Sequence, residues 1–143
     1  MKAYIYGIML MVLTLSCQVE PHKINYGHEA CSYCKMTIVD SKYASQLVAS
    51  TGKAYNFDAI ECMINFKKEN PDKNFSLFLV SDYDNPGKLI DASGANYLIS
   101  DEISSPMGAN LAAFTTKQEA EKTKNLFGGT IYEWEDVTQE VRN

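Results

Sequence analysis

The chain has 143 residues, enough for one domain or two small modules, and carries 13 Lys+Arg against 18 Asp+Glu, a net charge of −5. An acidic balance with no basic cluster excludes nucleic acid as a partner and excludes charge-driven attachment to anionic membrane surfaces. Of four cysteines one ends a leader, and the three left over are an odd number that a self-paired disulfide scaffold cannot consume.

Residues 1–16 combine one positive charge (Lys2), an apolar run from Ile8 to Leu15 and a small residue, Ser16, before Cys17. This is the grammar of a secretory signal, too short for a stable membrane span. Leu13-Thr14-Leu15-Ser16-Cys17 reads as a lipobox, with Thr14 where an aliphatic residue is usual. The alternative is an ordinary signal peptide with Cys17 free, but nothing after Ser16 resembles another cleavage site. A lipidated Cys17 would carry more than one acyl chain, enough to hold the protein on a membrane from the extracytoplasmic side. Losing Lys2 with the leader takes the net charge from −5 to −6. Residues 17–27 lack apolar periodicity and read as a tether.

Beyond Gly27 the sequence predicts an α+β domain with antiparallel sheets. Met36 to Val39 is a β-branched run that reads as strand, and Tyr43 to Ala49 is a second. Ser50-Thr51-Gly52-Lys53 is a turn before a short strand, Ala54 to Phe57. Asp58, with Glu61 three residues on, has the pattern of a helix N-cap, and Asn70-Pro71 stops that helix. Phe75 to Val80 is a buried-type strand. Asn85-Pro86-Gly87 marks a connection. The order then repeats: Asn96 to Ile99 a strand, Asp101 to Gly108 a loop, Asn110 to Phe114 a strand. Thr115, with Gln118 in the capping-box position, opens a helix that Gly128-Gly129 ends, and Thr130 to Trp134 closes the series. The reading is a duplicated strand-strand-helix-strand module, split at about 28–85 and 86–143.

Soft ligands concentrate in His28-Glu29-Ala30-Cys31-Ser32-Tyr33-Cys34-Lys35-Met36. Past the leader the methionines are Met36, Met63 and Met107, and Met36 falls two residues after a cysteine. Thiolate together with thioether is the donor set that selects Cu(I). Competing readings stay open at this point. Cys31, Cys34, Cys62 and His28 could supply the four donors of a structural zinc site, though that leaves Met36 unexplained. Cys31 and Cys34 could form a thiol–disulfide redox pair, which would want the motif at a helix start. Met36 could be a plain core residue. Cys62 and Met63 lie on the apolar stripe of the first helix, and Asp58 could be a cap and nothing more. Met107, beside Gly108 in a polar loop, is not a core pattern. With the Cys-x-Met cluster it becomes a second arm of a soft-metal clamp. Catalysis has no acid–base pair, nucleophile triad or phosphate loop to carry it.

The chain resembles the NosL family, lipoprotein copper chaperones that accompany nitrous-oxide reductase. The matching residues are Cys31-x-x-Cys34-x-Met36, Tyr55-x-Phe57-Asp58-x-x-x-Cys62-Met63, Asp91-Ala92-x-x-Ala95-x-Tyr97, Pro106-Met107-Gly108, Ala112-x-Phe114, Gly128-Gly129 and Trp134. The resemblance implies a duplicated α+β fold related to the organomercurial-lyase-like architecture, binding one Cu(I) destined for the copper–sulfide centre of the nitrous-oxide reductase apoprotein. It carries the copper ligands onto Cys34 and Met107. Cys31 is additional to members with a single cysteine in this motif, and Cys31, His28, Met36 and Cys62 are candidate further ligands, with Asp58 in support. A convergence of Cys31, Cys34, Met36 and the Met107 loop at one partly exposed edge, with Asp58 and Cys62 close behind, is therefore expected.

Overall fold

A computed structural model of the chain describes residues 19–141; the expected leader and the expected lipidation site at Cys17 lie outside the described residues. Among the described residues seven strands and three helices follow in chain order: β1 (Ser45–Ala49), β2 (Ala54–Phe57), α1 (Ile60–Glu69), β3 (Phe75–Asp82), β4 (Asn85–Asp91), β5 (Asn96–Ile99), β6 (Leu111–Phe114), α2 (Lys117–Phe127), β7 (Thr130–Tyr132) and α3 (Trp134–Glu140). The strands make one mixed sheet in the order β2-β1-β3-β6-β5-β7, with β4 pairing β3. Every pairing is antiparallel except β3 with β6, a short parallel joint at Asp82 and Ala113. In the first half β1 lies between β2 and β3; in the second β5 lies between β6 and β7.

Successive strand residues face opposite sides of a sheet, and here both sides are covered. Tyr97, Leu111 and Ala113 join the larger core with Leu47, Phe57, Val80 and the α1 residues Ile60, Met63 and Ile64. Their neighbours Leu98, Ala112 and Phe114 face the other way, onto Ala120 of α2. Thus α1 and α3 (through Val137) share one face and α2 takes the other. Because α1 also packs on β6, its first turn comes beside the loop joining β5 to β6, which carries Met107. This is how two distant stretches of sequence meet.

Several local expectations are corrected. Met36 to Val39 is not a strand: a single bridge pairs Ala30 with Thr37, and although Ile38 is buried in the larger core, the run has no partner strand to extend that bridge. Asp58 does not cap α1. The N-cap position is Ala59 with no side-chain bond, because the Asp58 carboxylate is engaged by Cys34 and the Glu61 carboxylate by another loop. The second helix is capped one residue later than expected, by Thr116 and Glu119 in a full capping box, since the Thr115 hydroxyl donates to Asp82 across the joint between the halves. Asn110 has φ 56°, which keeps it out of β6. The closing strand stops at Tyr132, and Trp134 opens α3. Asn85-Pro86-Gly87 begins β4, an edge position where proline costs no ladder bond.

Part of the expected tether packs on the domain. Ile24 is buried in the larger core, and the His22 N–H donates to the Gln46 side chain at 2.8 Å while its carbonyl accepts from the Gln46 amide at 2.9 Å. Gln46 in turn donates to Asn56, whose amide donates to Glu29 at 2.6 Å. This polar chain fastens residues 22–29 to β1 and β2 and fixes where the following cysteine motif begins.

Candidate metal centre

Cys31 to Met36 forms a tight turn docked on the sheet. The Ser32 N–H donates to the Asn56 carbonyl of β2 at 2.8 Å, the Cys31 N–H to Met36 O at 2.8 Å and the Lys35 N–H to Cys31 O at 3.1 Å. Lys35 takes φ 68°, the left-handed conformation that lets the chain reverse so sharply. The backbone N–H groups of Tyr33, Cys34 and Asp58 point at the Cys31 sulfur, and that of Met36 at the Cys34 sulfur. Such N–H donors stabilise sulfur as thiolate, the form that binds metal.

The turn brings Cys31 and Cys34 against the first turn of α1. The ligand atoms of Cys31, Cys34, Asp58 and Cys62 all lie within 4.8 Å of one another. Cys31, Cys62 and Asp58 are buried, and Cys34 is half-buried. The Cys34 thiol donates to Asp58, with Sγ 3.4 and 3.5 Å from the two carboxylate oxygens. The Cys62 thiol donates to Cys31, which with the backbone N–H groups outweighs burial and lowers the Cys31 thiol to about 6. The same contact, burial and the Asp58 carboxylate push Cys62 up. Burial above all, with Cys31 and Asp58 beside it, raises Cys34 to about 11. Metal-free and reduced, the site therefore holds one thiolate at neutral pH, on Cys31. An ultraviolet titration of thiolate absorbance should show a step near pH 6 that disappears in Cys31→Ser. In Cys62→Ala it should move up toward the ordinary value of 9.0, because the donor responsible is gone. A step near pH 6 that survives Cys31→Ser would contradict this assignment.

Met36 is exposed at the end of the turn, and Met107 is exposed in the β5–β6 loop. That loop is tied to the cluster's own helix. Glu61, which precedes Cys62, accepts at Oε1 from the Ser105 hydroxyl (3.1 Å) and the Ala109 N–H (3.2 Å), the residues bracketing Met107. The structure brings Cys31, Cys34, Asp58 and Cys62 together, and the Met107 loop is bonded through Ser105 and Ala109 to the same turn of α1. His28 is exposed in the turn before Glu29 and is not part of the cluster. Sequence reasoning gave Asp58 both a cap's role and a supporting place at the site, and gave Glu61 only the capping-box position. The available signal was a carboxylate, Glu61, set next to the apolar stripe of a helix that buries Ile60, Cys62, Met63 and Ile64.

The disposition of sulfurs suits metal handling better than redox exchange. A redox pair wants its low-pKa sulfur exposed to attack a partner; here the lowered thiol, Cys31, is fully buried and the accessible one, Cys34, is raised. The motif also precedes no helix.

A segment of 53 residues, 37% of the chain, is 36% identical to the copper-binding lipoprotein NosL of Stutzerimonas stutzeri and spans 28% of that protein. The crystal structure of the copper chaperone NosL from Shewanella denitrificans superposes with a TM-score of 0.71 at 21% identity, covering 86% of this chain and 98% of that one, which shows a shared fold. The NosL family model matches residues 21–142 of the 143. With that match over nearly the whole described chain, and with the Cys31–Cys34 motif, Asp58 and Cys62 in one cluster on a mixed α+β fold, the chain belongs to the NosL family.

Proposed function

We propose that this protein is a Cu(I) carrier of the cell envelope, held to a membrane by lipid on Cys17, and that it is not an enzyme. Copper is its cargo. Cys34 and Met107 are the proposed ligands, with Cys31, Cys62 and Met36 as further donors; the exposed His28 stands apart from them. The observation that carries the reading is the grading of sulfur exposure around Cys34. Two buried thiols lie behind it, and the exposed thioether Met36 shares its turn. A carrier has to hold an ion and surrender it, and donors at a half-open edge allow a recipient's ligands to enter. The soft donors favour Cu(I) over harder ions. Support for copper also comes from the two NosL proteins the chain resembles, one named copper-binding and one named a copper chaperone. The proposed recipient is the nitrous-oxide reductase apoprotein, which places the protein in denitrification.

The arrangement of both halves, each with its first strand between its second and third and one helix before the last, supports a duplicated module divided at about 28–85 and 86–143. The organomercurial-lyase-like relationship rests on the family resemblance.

Zinc is the second reading, favoured by one observation: three thiols and the Asp58 carboxylate supply four donors of a closed tetrahedral set. Competition against chelators of known affinity, under reducing and oxygen-free conditions, separates the two. Cu(I) should bind at about one per chain and far more tightly than Zn(II), and Met107→Ala should weaken Cu(I) alone, since a thioether adds affinity for the softer ion. Tighter binding of zinc, indifferent to Met107→Ala, would establish the closed site instead.

A further inference from the structure

Glu61 is an uneconomical residue where it stands. It is 5% exposed at the first turn of α1, its Oε2 has no hydrogen-bond partner, and burial raises its carboxyl above the ordinary range. An apolar side chain would suit this face better on stability grounds, since a buried polar group without its full set of bonds is costly. What the carboxyl does accomplish is local. One oxygen, Oε1, accepts from both sides of Met107: from the Ser105 hydroxyl before it and the Ala109 N–H after it. Ser105 draws the same loop closed, its Oγ accepting from the Leu111 N–H at 3.4 Å and its carbonyl from the Gly108 N–H at 3.0 Å. Gly108, at φ 82° with open space around it, gives the loop a hinge-like residue immediately beside Met107. The next residue after Glu61 is Cys62, a member of the sulfur cluster.

We propose that Glu61 is a positioning residue, which pins the Met107 loop to the helix turn that carries Cys62 and so holds the thioether in reach of the cysteine-bound ion. This rests on the reading of Met107 as a ligand. Its effect is preorganisation: the loop is ordered before metal arrives, so ion binding does not bear the entropy of fixing an exposed methionine on a glycine-flexed loop. Partners of this kind, one bond removed from the metal, characteristically govern affinity without touching the ion.

The test is a double-mutant cycle on the full reduced protein, with Cu(I) affinity read by competition with a chromophoric chelator in the parent, Glu61→Ala, Met107→Ala and the double variant. Glu61→Ala should weaken Cu(I) about tenfold, the scale on which outer partners of metal ligands act. In the Met107→Ala background the same change should cost nothing further, because the ligand it positions is already gone. Glu61→Gln, which keeps the acceptor oxygen, should restore binding to near the parent's. Should Glu61→Ala fail to fold, Ser105→Ala removes the hydroxyl's bonds to Glu61 and to the Leu111 N–H without changing a residue of α1, and should show the same dependence on Met107. If Met107→Ala weakens binding while Glu61→Ala and Ser105→Ala bind like the parent, or if the two losses multiply, the positioning role is overturned alone. If Met107→Ala itself binds like the parent, the ligand reading falls and the positioning role with it.

Discussion

Cys17→Ala is expected to release the protein from the membrane altogether. The expectation follows from what remains once lipid is lost. The chain beyond the leader is acidic, at −6, so no basic patch is left to draw it to anionic lipid, where each Lys or Arg near the surface contributes about 1 kcal/mol. Among the described residues no helix is long and apolar enough to cross a membrane. Doubly or triply acylated anchors, by contrast, hold almost irreversibly on the time of a fractionation. Labelling with radioactive fatty acid, followed by separation of membrane from soluble fractions, gives both readouts. The parent should incorporate label and sediment with membranes; Cys17→Ala should do neither. A variant that sediments as fully as the parent refutes the anchor.

Gly129→Ala should be the most destabilising single methyl group that can be added to the described glycines. At φ 98° the backbone of Gly129 is in a region that side chains rarely adopt, and a Cβ there would collide with the Ile99 carbonyl oxygen and lie 2.8 Å from Ser100 Cβ. Neither obstacle is a flexible side-chain end. Ile99 is the last residue of β5 and pairs with Thr130 of β7, so relief requires prising apart the edge on which α3 is also hung. Strain of this kind together with a broken ladder should cost about 3 kcal/mol or more, lowering the melting temperature by roughly 10 °C. Gly128→Ala is the internal control: φ is 70° but the space is open, so the penalty should be about 1 kcal/mol. Equal melting temperatures for the two variants, measured by circular dichroism, would refute the packing account.

The contrast between what the sequence disclosed and what it hid has a physical pattern. Ala54 to Phe57 and Phe75 to Val80 are legible as strands because turn residues bound them and apolar and aromatic residues dominate them. The cysteine motif and Met107 were legible as soft-metal candidates because few residue types offer that chemistry. Where local and tertiary partners compete for one polar side chain, sequence reasoning picked the local partner. Asp58 and Glu61 have the spacing of a capping box, yet one faces Cys34 and the other reaches Ser105, 44 positions away. Thr115 and Thr116 both have an acceptor three residues on, and only the pull of Asp82 on Thr115 decides which becomes the cap. Met36 to Val39 has a strand's composition without a neighbouring strand to pair with. The helix α3 carries one buried residue, Val137, too faint an apolar stripe to announce itself.

The central claim is that Cu(I) joins a cysteine sulfur to the Met107 sulfur, and copper-edge X-ray absorption on selenomethionine-labelled, Cu(I)-loaded protein tests it most directly. Selenium marks thioether ligands apart from thiolates in a single spectrum. The account predicts sulfur and selenium neighbours together, with one selenium neighbour lost in Met107→Ala and the sulfur shell depleted in Cys34→Ser. A copper shell of sulfur alone, unchanged by Met107→Ala, would contradict it and place the ion wholly among Cys31, Cys34 and Cys62.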